Sequence, residues 1–128
     1  MTSATISALV TLSKAVSVRA AHARITAQLA LGRVQNLRGE YDAAIAELRT
    51  AIDLNSSSAL AHHGLAFAFV STGQFDEAIS GCNSAILLSP RDPFVWGFYT
   101  LRDQAYFRLG DYEAAMEDAR RAMRHPAA

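Results

Sequence analysis

The chain has 128 residues, 51% hydrophobic and 19% charged, which is apolar material enough for one domain with a packed core. Twelve basic residues balance twelve acidic ones, so no net field draws the protein to nucleic acid or to an anionic membrane, and neither is expected as a partner. No apolar run approaches the ~20 residues of a membrane span. The single cysteine, Cys82, has no partner for an internal disulfide, which fits a reducing cytoplasm.

Apolar residues recur at helical spacing along most of the chain, and Gly and Pro fall mostly at breaks, so an all-α fold is expected. Residues 5–20 read as a first helix carrying Ile6, Leu9, Val10, Leu12 and Val16. No Asp or Glu precedes Glu40, whereas Lys14, Arg19, Arg24, Arg33 and Arg38 do. An acid-free start of this kind has the composition of an organelle transit peptide, but the helical pattern resuming at Ile25 confines that reading to residues 1–24.

A second helix from Ile25 should end near Arg38, where Gly39 supplies the left-handed turn that closes it. Tyr41 opens the next, which gathers Ala44, Ile45, Leu48, Ala51 and Ile52 on one side. Asn55 and the serines Ser56, Ser57 and Ser58 stop it and offer a cap to its successor. Residues 59–92 form another pair hinged on Gly73, which should have a positive φ, so Gly73→Val should cost more than the ~1 kcal/mol of an ordinary surface change. Asp92-Pro93 is a cap followed by a first-turn proline, and Phe94, Phe98, Leu101, Ala105 and Leu109 make a stripe along the helix it starts. Gly97, inside that helix, should tolerate alanine unless the packing leaves no room for a methyl. A last helix over 112–124 sets Arg120, Arg121 and Arg124 against its dipole before Pro126 ends it. It leaves Ala115, Met116, Ala119 and Met123 without cover from the following sequence.

These pairs repeat. Leu65-Ala66, Gly73-Gln74-Phe75, Ala78 and Ala85 match Leu31-Gly32, Gly39-Glu40-Tyr41, Ala44 and Ala51, which lie 34 residues earlier. They return as Gly110-Asp111-Tyr112, Ala115 and Ala122, offset by 37, with Ala105-Tyr106 ahead of them. With His62-x2-Leu65-Ala66-x2-Phe69, Ala78-x3-Cys82 and Pro90, the chain resembles the tetratricopeptide repeat family. The resemblance implies a right-handed α-solenoid of antiparallel helix pairs, seven helices in all. Repeats would occupy 25–58, 59–92 and 93–128, with 1–24 as the second helix of a truncated preceding repeat.

Three departures stand out. Ser56 replaces a usual proline, and Cys82 replaces a larger apolar residue, where a buried, inert thiol is expected. Three extra residues between Trp96 and Tyr106 should lengthen the first helix of repeat three by nearly a turn. Asp103 then lands on the place of Gly32 and Ala66, where a carboxylate is costly unless paired, so rotation toward solvent is expected.

No catalytic constellation is present, and no enzymatic activity, metal or cofactor is expected. His62 and His63 diverge by ~100° on a helix and suit no shared metal, His62 packing and His63 facing the groove. Family geometry places a concave, partner-binding groove on Arg33, Asn36 and Leu37, on His63, Phe67, Val70 and Ser71, and on Gln104, Phe107 and Arg108. Thr26, Leu29, Leu60 and Thr100 stand beside them. Phe67 and Phe107 are the expected apolar anchors, and Arg33 and Arg108 the donors for a carboxylate. The clamp by which some family members hold chaperone tails is missing, since its places carry Leu29, Arg33, Gly64, Gly97 and Leu101. A non-catalytic scaffold that binds a protein or peptide partner is therefore expected. The alternatives are a homodimer joined through a terminal helix, or a regulatory fragment. For the latter, Leu88-Ser89-Pro90-Arg91-Asp92-Pro93 and the aromatic helix after it resemble arrays attached to bacterial class III nucleotide cyclases and winged-helix regulators. Arginine outnumbers lysine eleven to one, as in GC-rich bacterial coding sequences.

Overall fold

From residue 3 to residue 31 the chain has no Gly, Pro, Asn or Asp, the residues that break helices or compete with their backbone bonds. In the computed structural model, which describes residues 2–124, that stretch accordingly belongs to one unbroken helix, α1 (Ser3–Leu37), of 35 residues. The Thr2 hydroxyl caps it by accepting the Thr5 N–H at 3.1 Å. The break expected between residues 20 and 25 does not form. The N-terminal segment is the leading part of repeat one's first helix, and the described residues hold six helices where seven were expected. The others are α2 (Tyr41–Leu54), α3 (Ala59–Ser71), α4 (Phe75–Leu88), α5 (Val95–Leu109) and α6 (Tyr112–Met123).

Gly39, Gly73 and Gly110 have φ of +76°, +80° and +85°, the left-handed conformation that the sequence demands at each hinge. The residue after each glycine then donates back into the finished helix, Glu40 to Gln35, Gln74 to Phe69 and Asp111 to Tyr106, at 2.8, 2.8 and 3.0 Å. These bonds close the carbonyls that a helix end leaves open.

Every helix packs on the next, and α1 also touches α3 as α3 touches α5. Among the described residues no such contact joins α2 to α4 or α4 to α6. The odd-numbered helices therefore form an inner layer and the even-numbered ones an outer layer. This is an α-solenoid.

Each pair closes differently. In the first, Leu48 is fully buried in a hole made by two glycines, and a Cβ on Gly32 or Gly64 would stand 2.6 or 3.2 Å from its side chain. In the second, Ala66 meets Gly81, whose added Cβ would lie 3.1 Å from that of Ala66. Cys82 beside them is inaccessible, and burial above all pushes its thiol up to about 12, the inert state expected.

In the third pair the place of Gly81, eight residues past the turn glycine, is taken by Asp118, and that of Leu65 by Arg102. Arg102 Nε and Nη2 donate to the two oxygens of Asp118 at 2.7 and 2.8 Å. Arg121 adds a contact at 3.0 Å, and Asn83 Oδ1 accepts from Arg102 Nη1 at 2.7 Å. The guanidinium also lies 5.6 and 5.9 Å from the ring centres of Tyr99 and Tyr106. The bond to Asp118 raises the Arg102 pKa, with burial opposing it. A buried ion pair thus holds α5 to α6 where small residues do that work elsewhere.

Asp103 does not swing clear to solvent as expected. It is half-buried, and burial first, then the Asp118 charge, raises its pKa.

The insertion is also shared out. α5 has 15 residues against 13 in α3, and the connection before it spans 89–94 against 55–58. Asp92 caps the turn ahead of α5 by accepting the Phe94 N–H at 2.8 Å, so the helix proper begins at Val95, two residues past the proline. In α6, Ala115 and Ala122 are buried and Ala119 is half-buried, whereas Met116 and Met123 are exposed. His125 and Pro126 lie outside the described residues.

Candidate functional site

The inner layer carries two hollows, both built from helix faces that the turn glycines orient. The first, of about 240 Å³, is lined by Arg33, Asn36 and Leu37 of α1, Leu60, His63, Gly64 and Phe67 of α3, and Phe94. Asn36 is buried and ties the two helices together, its amide donating to the Gly64 carbonyl at 2.9 Å. Leu37 is 84% exposed and Phe67 36%, so the hollow presents apolar surface that no neighbouring helix covers. Arg33 stands at its edge without an ion-pair partner among the described residues.

His63 packs within an aromatic cluster. Its ring centre lies 5.1 Å from that of Phe94 and 5.4 Å from that of Phe98, and Phe94 meets Trp96 at 5.0 Å. Burial, aided by the Arg33 charge, lowers its pKa to about 4, a backbone bond at Gly97 opposing. The imidazole is therefore neutral near pH 7 and adds no charge to the hollow. A histidine whose pKa falls on folding stabilises the fold above 6.5, and that contribution is lost as pH drops from 6.5 toward 4. Thermal unfolding followed across this window should show wild type losing stability more steeply than a His63→Phe variant. Equal slopes would show that His63 is not the group responsible.

Phe94 reaches the hollow because Gly97 has no side chain. A methyl there would overlap the Phe94 ring, which His63, Trp96 and Phe98 hold in place. The exception to alanine tolerance at Gly97 therefore applies: the packing leaves no room.

The second hollow, of about 320 Å³, is lined by Val70, Asp103, Gln104, Phe107 and Arg108. Phe107 is 58% exposed and meets Tyr112 at 5.5 Å, while the Arg108 guanidinium lies 5.0 Å from the Phe75 ring centre. Phe67 and Val70, one turn apart on α3, carry the surface from one hollow to the other.

The structure brings nine of the ten expected groove residues to these two hollows. Ser71 lines neither, and its hydroxyl instead donates to the Phe67 carbonyl at 2.9 Å. Phe94 and Asp103 line the hollows without having been expected there, and Gly64, one of the places of the missing clamp, joins them. The signal for Phe94 was the glycine three residues on, which frees space for a ring. His62 lies on the far side of α3, its Nε2 3.1 Å from the Ser56 carbonyl, well separated in role from His63. No group of described His, Cys, Asp or Glu residues has the arrangement to hold a metal ion, and none of the described helices is long and apolar enough to cross a membrane.

The model of a TPR repeat matches residues 32–73, and that of a tetratricopeptide repeat matches residues 101–124. The chain carries tetratricopeptide repeats. Solved structures of this repeat architecture share the fold. The second TPR of Spaghetti (RPAP3), bound to the HSP90 peptide SRMEEVD, is 24% identical with a TM-score of 0.73, over 80% of this chain and 92% of that one. The second TPR domain of human RPAP3, in complex with the HSP70 peptide SGPTIEEVD, is 24% identical with a TM-score of 0.72, over 80% and 83%. A TPR-like protein of Chlorobium tepidum TLS, CT2138, is 23% identical with a TM-score of 0.72, over 80% and 78%. No curated protein sequence matches the chain. Of the five residues at the expected clamp places, Leu29 is half-buried, Gly64, Gly97 and Leu101 are buried, and Arg33 is the only cation.

Proposed function

We propose that these repeats form a non-catalytic interaction module whose inner layer binds an extended peptide carrying an apolar residue and an acidic or C-terminal carboxylate group. The observation that carries this reading is Arg33, without an ion-pair partner among the described residues, at the edge of a hollow walled by Leu37, Leu60, Phe67, Phe94 and a neutral His63. An apolar side chain entering the hollow would bring a neighbouring carboxylate within reach of the guanidinium, and Arg108 offers a second cation beyond Val70. The structural relatives solved with bound peptides support a peptide as the partner. The missing clamp argues for a sequence other than a chaperone tail. A cytoplasmic setting suits the lone buried thiol.

Charge-assisted contacts contribute on the order of 1.5–3 kcal/mol each when well formed. A panel of short peptides, each as free acid and as amide, should yield binders that prefer the acid. The double change Arg33→Ala and Arg108→Ala should weaken them tenfold or more while leaving the thermal unfolding transition in place. Binders indifferent to both the end group and the double change would defeat the proposal.

A further inference from the structure

Among the described residues the leading part of α1 has no partner. Every residue from 2 to 24 is exposed, including Ile6, Leu9, Val16 and Val18 at 50 to 68%. A helical stretch this rich in β-branched and serine residues is marginal by itself in water and needs a packed face to hold it.

The face is already written in the sequence. Stepping from Ile6 alternately three and four residues reaches ten positions, ending at Leu37; nine are apolar, one is Ser13, and none is charged. All ten are exposed. They run about 47 Å along the helix, on the side opposite Gly32 and Asn36, the residues α1 buries against its own repeats. An alternating three-and-four seam is the pattern by which two helices supercoil around each other.

The seam is also self-complementary when reversed. Laid antiparallel on a copy of itself, Ile6 faces Leu37, Leu9 faces Val34, Val16 faces Ala27 and Ala20 faces Ala23. Larger side chains fill the ends, and alanines at the centre let the helices approach closely. Flanking charges select the same orientation. In a parallel pair Arg19 would oppose Arg24 and Arg33 would oppose Arg38, with no acid in the stretch to relieve them. Antiparallel, Arg19 opposes Thr26, Arg24 opposes Ser17 and Arg33 opposes Leu12.

We infer that α1 docks on the α1 of a second copy as an antiparallel two-helix seam, a self-complementary interface of two-fold symmetry. The two sets of repeats then lie at opposite ends of the seam, which meets their inner layers at Leu37 and at Arg33 beside it.

The whole chain should sediment at twice 13.8 kDa, and the double change Val16→Lys and Ala27→Lys, at exposed positions, should return it to monomer. Orientation is read by oxidative cross-linking, Cys82 being buried. Ile6→Cys and Leu37→Cys chains should cross-link when mixed, and Ile6→Cys alone should not, since its two copies would stand about 46 Å apart. A wild type that stays monomeric at high micromolar concentration would overturn the inference. So would a dimer that survives the lysines, or Ile6→Cys chains that cross-link with themselves.

Discussion

Replacing Arg102 by leucine is expected to destabilise the fold by about 3–5 kcal/mol, the usual consequence of stranding one charge of a buried pair. Asp118 is 1% exposed and takes its two shortest bonds from this guanidinium. Arg121 reaches Asp118 from the same helix, but its own side chain is 44% exposed and its tie to α5 is a single contact with Tyr99, 5.9 Å from the ring centre. The double change Arg102→Leu with Asp118→Ala removes both charges and approaches the apolar solution that Leu65 and Gly81 provide in the second pair. It should therefore cost less than Arg102→Leu alone. Denaturant unfolding of the two single variants and the double closes the cycle. A double variant as unstable as the sum of the singles would mean that the pair does not hold α5 to α6 as a unit.

Leu48→Ala is the second large effect, at about 2–5 kcal/mol for a large residue emptied from a closed site. Leu48 is fully buried against Gly32 on one side and Gly64 on the other, so little can collapse into the gap. Gly32→Ala should also destabilise, because its methyl would press within 2.6 Å of the Leu48 side chain. Placed together the two changes exchange volume across one contact, and the pair should be milder than their sum. Strict additivity would contradict the packing described.

Hinges and pairings were legible in the sequence because they depend on local chemistry. A glycine at the end of a helical run leaves few alternatives, and the spacings of 34 and 37 residues carry the inner-face positions with them. Arg33, Asn36, Leu37, His63 and Phe67 were placed together for that reason, although the sequence says nothing of what binds there. What stayed hidden depends on contacts between positions far apart. The partnership of Arg102 with Asp118 does not emerge until α5 and α6 are set side by side. Phe94 reads as a member of a core stripe until Gly97 is seen to leave its ring a seat at the inner face. The unbroken α1 was obscured for a different reason. The family pattern implied a boundary near residue 24, and nothing in the residues themselves interrupts the helix there.

The asymmetry between the two layers has a mechanical consequence. Because inner helices touch across repeats and outer helices do not, the inner contacts act as a line of hinges along which successive repeats can tilt. Pulling the ends apart or pressing them together changes the gaps between α2, α4 and α6, and the packing of α2 on α3 and of α4 on α5 resists it, much as a coil spring resists strain along its open side. The Asn36 bond to the Gly64 carbonyl at 2.9 Å ties the first pair to the second, and the Arg102 bond to Asn83 at 2.7 Å ties the second to the third. A partner that spans both hollows would therefore meet a surface whose curvature these two bonds help to set.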